Sequence, residues 1–70
     1  MKHVLYEDIQ GWALTPEPNY KNMIEDVNKV THFSKKLFPE KSDVIEYITN
    51  ILKLRPDMVI DKTKRFFWFR

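Results

Sequence analysis

Four prolines, Pro16, Pro18, Pro39 and Pro56, divide this chain into separate pieces. Proline has no amide proton and clashes with the preceding helical turn, so the interior of a helix or central strand does not run through one, although a first helical turn accepts it. What lies between the prolines then sets the expected elements. Between Pro18 and Pro39, the residues Tyr20, Met23, Ile24, Val27, Val30, Phe33, Leu37 and Phe38 fall within one half of a helical wheel. Lys21, Asn22, Glu25, Asn28, Lys29, His32, Lys35 and Lys36 fill the other half, with only Thr31 and Ser34 intruding and Asp26 at the border. This spacing predicts an amphipathic helix over residues 20–38, capped by Thr15 or Asn19 and ended by Pro39. Its wide apolar face would pack against more than one neighbour.

Between Pro39 and Pro56 a second helix is expected, following Ser42 and running to about Leu54. Ser42 is a good N-cap, and Asp43 suits the positive first turn. Val44, Ile45, Tyr47, Ile48, Ile51, Leu52 and Leu54 cover one half of the wheel, and Asp43, Glu46, Thr49, Asn50 and Lys53 the other. Met23, Phe33, Ile45 and Leu52 read as core, whereas Tyr20, Phe38 and Tyr47 stand at the edges of the apolar faces, where an aromatic can rim a partner site.

The remaining pieces read as strand. Residues 2–6 are β-prone, and after a polar break at Glu7 and Asp8 a second extended piece runs from Gly11 and Trp12 through Leu14. Beyond Pro56, residues 58–60 form one strand, 61–64 a turn and 65–70 a second strand. This hairpin lacks the Asn-Gly that most favours a tight turn. The order is β-α-α-β-β. The expected fold is α+β, two antiparallel amphipathic helices packed on a small antiparallel sheet, with residues 1–70 as one domain.

A domain of 70 residues buries only about 60% of the surface its unfolded chain exposes, so its stability is small. The chain has no cysteine, which removes disulfides, thiolate–metal sites and thiol nucleophiles. Stability must then come from its 2 Trp, 3 Tyr and 5 Phe or from a partner chain. The lack of cysteine fits a reducing, cytoplasmic setting. A single Gly beside abundant Lys, Asn, Ile, Tyr and Phe fits an AT-rich coding sequence, as in small proteins of viruses and mobile elements, and would then mean the cytoplasm of a host cell. No apolar run approaches the roughly 20 residues of a membrane span, and the start reaches acidic residues too soon for a signal peptide.

Catalysis is not expected, nor is a metal, a cofactor or a small-molecule substrate. His3 and His32 are far apart, His32 on the polar face of the first expected helix, and no His-Glu-x-x-His pair exists. Glu7 and Asp8 are adjacent carboxylates, as are Glu25 and Asp26; neighbours on a helix point about 100° apart, so Glu25 and Asp26 read as solvated charges. One Gly cannot build a phosphate-cradling loop.

The end of the chain is the most concentrated segment. Residues 66–70 hold four aromatics, and Lys62, Lys64, Arg65 and Arg70 make residues 62–70 basic without an acid. On a strand, Lys64, Phe66, Trp68 and Arg70 point one way, and Arg65, Phe67 and Phe69 the other. A sheet covered on one side should be polar on its other side, and this strand is aromatic on both. Residues 1–14 could cover the second face, as could a protein partner or stacked bases. The leading expectation is a non-catalytic protein-binding module, a small inhibitor, adaptor or homodimerising accessory protein. Its contact would be Arg65, Phe66, Phe67, Trp68, Phe69 and Arg70, residue types enriched in interface hot spots. The alternative is sequence-tolerant binding of RNA or single-stranded DNA. There bases stack on Phe66 and Trp68 while Lys62, Lys64 and Arg65 hold phosphates. A net charge of +2 and an acidic N-terminal third count against it.

Overall fold

The chain's only glycine closes its first hairpin. In the computed structural model, which describes residues 1–63, β1 (His3–Asp8) and β2 (Gly11–Pro16) pair antiparallel. His3 lies opposite Pro16 and Asp8 opposite Gly11, leaving Ile9 and Gln10 to turn. The Asp8 carboxylate accepts the Gln10 amide at 2.9 Å, a side-chain turn that Asp favours. Neither Ile9 nor Gln10 has a positive φ; the left-handed residue is Gly11, at φ +125°. Its missing Cβ matters doubly, because a Cβ there would lie 2.4 Å from the Phe33 carbonyl oxygen.

β3 (Thr31–Phe33) adds antiparallel to β2, with Phe33 opposite Trp12. β4 (Val59–Asp61) adds to the far side of β1 in parallel, with Val59 opposite His3 and Asp61 opposite Leu5. The sheet order is β3-β2-β1-β4, so β3 and β4 run the same way at opposite edges. Joining parallel strands needs a crossover, and the segment carrying α2 (Lys41–Asn50) supplies it over one face. Strand alternation places Leu5, Trp12, Leu14 and Phe33 on that face, where they form the core with Val44 and Ile48 of α2. Val44 and Ile48 are 0% and 1% exposed, and burial of each contributes about 1.5–3 kcal/mol.

The opposite face carries Val4, Ala13 and Thr15, all buried. The short α1 (Glu17–Lys21) lies against it. Its Tyr20 ring sits 5.2 Å from that of Tyr6, and buried Asn19 donates from Nδ2 to Thr15 Oγ1 at 2.8 Å. β2 is therefore buried on both faces from Gly11 to Thr15.

This architecture replaces the expected β-α-α-β-β arrangement. The sheet is mixed rather than antiparallel, and α2 is the one long helix among the described residues, beside the five-residue α1 and two 3-10 turns. The helix expected over residues 20–38 does not form. α1 stops at Lys21, and Met23 and Ile24 take φ 59° and 58°, left-handed values that no right-handed helix continues through. Asn19 holds this break in place. Its Oδ1 accepts the Asp26 amide at 2.8 Å, its Nδ2 donates to the Asp26 carbonyl at 2.9 Å, and its own carbonyl accepts the Ile24 amide at 2.8 Å. Left-handed residues with side chains cost about 1–3 kcal/mol each, and these bonds offset that cost.

Asn22, Asn28, Thr31 and Ser34 are also weak helix formers, so the apolar spacing lacks local support. Its members separate: Phe33 is buried, whereas Met23, Val27 and Leu37 are 89%, 72% and 77% exposed. His32, expected on a helix, lies on β3 with Nε2 2.9 Å from the Asp8 carboxylate. Glu25 and Asp26 lie in the loop, where the Asp26 carboxylate accepts the Asn28 amide and caps the 3-10 turn Val27–Lys29.

The second expected helix survives as α2. Its N-cap is Glu40 rather than the expected Ser42, which lies inside the first turn; Asp43 accepts the Glu40 amide at 3.1 Å and closes a capping box. It ends at Asn50, and Lys53 at φ 61° turns the chain back. The strand expected at residues 58–60 is β4, but its described partner is β1. The other half of the expected hairpin, residues 65–70, lies outside the described residues. Among the described residues, no helix is long and apolar enough to cross a membrane.

Candidate functional site

Trp12 fixes the loop that leads into α2. Its Nε1 donates to the Phe38 carbonyl at 2.7 Å. The Lys35 ammonium lies 4.8 Å from its ring centroid and pairs with the Glu7 carboxylate. With Phe38 held there, three rings meet edge to face. Phe33 and Phe38 are 5.3 Å apart at 81°, Phe33 and Tyr47 5.7 Å at 67°, and Phe38 and Tyr47 5.4 Å at 83°. Each such pair contributes about 0.5–1.5 kcal/mol beyond its buried area, and together they seat α2 on β3.

Phe38 and Tyr47 also line an open groove of ≈ 520 Å³ with Leu37, Pro39 and Ile51; Asp43, Glu46 and Asn50 supply its polar side. Leu37 and Ile51 are 77% and 60% exposed, so apolar surface is on offer here rather than buried. Asp43 and Glu46 border a second hollow of ≈ 530 Å³ as well, with Lys41, Ser42 and Ile45. The two hollows thus share a pair of carboxylates on the outer side of α2. Among the described residues, Glu7, Asp8, Glu17, Asp57 and Asp61 each have a cationic or histidine partner, and Asp43 and Glu46, like Glu25, Asp26 and Glu40, have none.

β4 ends against the first turn of the same helix. Lys41 Nζ lies 2.6 Å from Asp61 Oδ2. Asp61 Oδ1 accepts both the Thr63 amide at 2.9 Å and its hydroxyl at 2.6 Å. The Lys62 amide donates to the Leu5 carbonyl at 2.8 Å, which carries the pairing with β1 one step past β4. Burial alone would push the Asp61 carboxyl up, but the Lys41 and Thr63 hydrogen bonds and the Lys41 charge hold it at about 2, against an ordinary 3.8. A depressed carboxylate stabilises the fold above its unfolded pKa, and that stability is lost as pH falls through the folded value. The side chain is 36% exposed, so screening limits the contribution to about 1 kcal/mol. Urea denaturation is therefore expected to show wild type about 1 kcal/mol more stable than Asp61→Asn near neutral pH, with the gap closing as pH falls below 4 toward 2. A gap that stays constant down the titration would deny the carboxylate this role.

Of the contact residues expected from sequence, Arg65, Phe66, Phe67, Trp68, Phe69 and Arg70 lie outside the described residues, as does Lys64. Lys62 is exposed and borders a smaller hollow of ≈ 300 Å³ with Val4, Glu17, Tyr20, Lys21 and Ile60, on the sheet face away from α2. The edge aromatics divide. Phe38 and Tyr47 come together in the groove, whereas Tyr20 packs on Tyr6, whose hydroxyl pKa is raised by burial and then by Asp8 and Tyr20.

Helical spacing assigned Leu37 and Ile51 to buried faces and overlooked Asp43 and Glu46 as a rim. A signal was present in the width of the second apolar face: seven residues over half a wheel exceed what one short helix buries on one sheet. His3 and His32 sit on β1 and β3 at separate places in the sheet. No group of three or more His, Cys, Asp or Glu is placed to hold a metal among the described residues. Comparison with protein-family models, with curated proteins and with solved structures finds no match for this chain.

Proposed function

We propose that the chain is a non-catalytic protein-binding module that acts in the cytoplasm as a small inhibitor, adaptor or homodimerising accessory protein. The groove beside α2 supports this reading best. Leu37, Tyr47 and Ile51 remain exposed around an aromatic floor, with Asp43 and Glu46 on the rim. An apolar centre within a polar border is the usual anatomy of a protein contact, and exposed apolar surface on a small domain marks one. Arg65, Phe66, Phe67, Trp68, Phe69 and Arg70 are the chain's other candidate anchors for a partner, as the aromatic and arginine residue types enriched in hot spots. The nucleic-acid alternative, with Lys62, Lys64, Arg65, Phe66 and Trp68, gains nothing from this groove, because Asp43 and Glu46 repel a phosphate backbone.

Trp68→Ala and Arg65→Glu are expected to weaken association with the partner or with a second copy about 30-fold each, as for hot-spot losses of about 2 kcal/mol. Sedimentation over a concentration range reads self-association. Capture from the native host, with and without nuclease, reads other partners. The helical circular dichroism should persist in both variants. If Trp68→Ala unfolds the chain, the contact assignment is wrong, and capture that nuclease abolishes would favour nucleic acid.

A further inference from the structure

Resting on that reading of the groove, we infer that its partner is a protein segment in which apolar side chains flank an arginine, with the arginine seated on Asp43 and Glu46. The layout of the helix surface comes first. Asp43, Glu46 and Asn50 stand three and four residues apart on α2, so they form one row. The groove, with Tyr47 and Ile51, lies along one side of this row. The hollow with Ser42 and Ile45 lies along the other. A polar ridge thus separates two depressions, and Asp43 and Glu46 border both.

Charge then selects the occupant. The charged residues lining the two depressions are Lys41, Asp43 and Glu46. Lys41 is neutralised by Asp61 at 2.6 Å. What remains without an opposite partner among the described residues is two carboxylates, on a chain of net charge +2. Glu25, Asp26 and Glu40 also lack a cation but line neither depression. Side chains three residues apart on a helix stand about 5–6 Å apart at Cβ, a gap that one planar guanidinium can bridge. Asp43 is already oriented for this, because its Oδ2 accepts the Glu40 amide at 3.1 Å. A guanidinium is also more weakly hydrated than an ammonium, so it is the easier cation to seat beside the exposed Leu37 and Ile51. Apolar side chains on either side of the arginine then meet Phe38 and Tyr47 in the groove and Ile45 across the ridge. A second copy suits the ridge less well. A two-fold contact joins the same patch of both chains, which brings four carboxylates together.

The test titrates the full chain, at a concentration where sedimentation shows a monomer, with the capped peptide Leu-Ala-Arg-Ala-Phe up to millimolar. In an extended peptide the Leu, Arg and Phe share one face about 6–7 Å apart. The methyl shifts of Leu37, Ile45 and Ile51 and the Tyr47 ring shift should move and saturate together, with Val44 and Ile48 in place. A peptide with Glu for Arg should bind at least tenfold more weakly. Glu46→Lys, at an exposed position, should weaken the Arg peptide about tenfold and strengthen the Glu peptide, with the circular dichroism unchanged. Equal binding of the two peptides overturns the inference, as does saturation without movement at Leu37 and Ile51. If no peptide binds and Glu46→Lys alters self-association in sedimentation, the occupant is a second copy. The inference then falls while the protein-binding reading stands. If the Arg peptide binds as expected but Leu37→Asp leaves capture of host partners unchanged, the preference of the groove stands and the proposed function fails.

Discussion

Replacing Gly11 by alanine is expected to cost about 3 kcal/mol or more and to leave little folded protein at room temperature. Two penalties fall on one atom. At φ +125° a residue with a side chain is strained. The new Cβ would also stand 2.4 Å from the Phe33 carbonyl oxygen and 3.4 Å from the Lys35 amide nitrogen. Both neighbours are backbone, so no side chain can swing aside. Relief requires β3 to move from β2, and that breaks the Trp12–Phe33 register which seats the aromatic cluster. A domain of this size has only a few kcal/mol to lose. Urea denaturation followed by circular dichroism measures the effect. Ile9→Ala, in the same turn but 103% exposed, should stay within about 0.5 kcal/mol of wild type. A Gly11→Ala protein as stable as Ile9→Ala would show that the hairpin is not held at this point.

Trp12→Ala should be as damaging, at about 3–5 kcal/mol. The ring is 8% exposed, pairs across the sheet with Phe33 and carries the Lys35 ammonium. Its indole N–H also holds the Phe38 carbonyl, so the loop into α2 loses its tether along with its packing. Trp12→Phe separates the two effects, because it keeps an aromatic ring and removes the donor. It should cost less, about 1–2 kcal/mol, and should loosen the groove before it unfolds the sheet. Denaturation of both variants, with the Tyr47 ring and Ile51 methyl shifts as a local readout, distinguishes them. Equal losses would put the hydrogen bond, not the ring, in control.

Phe38 and Tyr47 were legible as edge aromatics because a helical wheel shows the margin of an apolar face. Their meeting was not legible, since it depends on the Trp12–Phe38 bond between residues 26 positions apart. Leu37 and Ile51 were misplaced for a related reason. A wheel ranks residues by direction from one axis, whereas exposure depends on how much sheet lies opposite. Asp43 read only as a favourable first-turn charge, and its second role as part of a rim appears once Phe38 and Pro39 fold back beside it.

The sequence by itself determined that residues around Gly11 are extended, that a helix lies between Pro39 and Pro56 and that a short strand follows Pro56, along with the absence of thiol chemistry; the polar Glu7 and Asp8, expected as a break, continue β1. Each of these rests on signals within a few residues: strand propensity around a lone glycine, apolar spacing between Pro39 and Pro56, a short β-prone run after Pro56. Tertiary structure alone decided what residues 20–38 became and how β4 pairs. Apolar spacing records which side chains avoid water, but not where each backbone amide and carbonyl finds a partner. β2 is buried on both faces and needs pairing on both sides. β3 answers that need on one side, and Asn19 ends the competing helix by binding Asp26 seven residues on. The parallel pairing of β4 with β1 brings Asp61 beside Leu5, a contact that exists only after α2 has crossed the sheet.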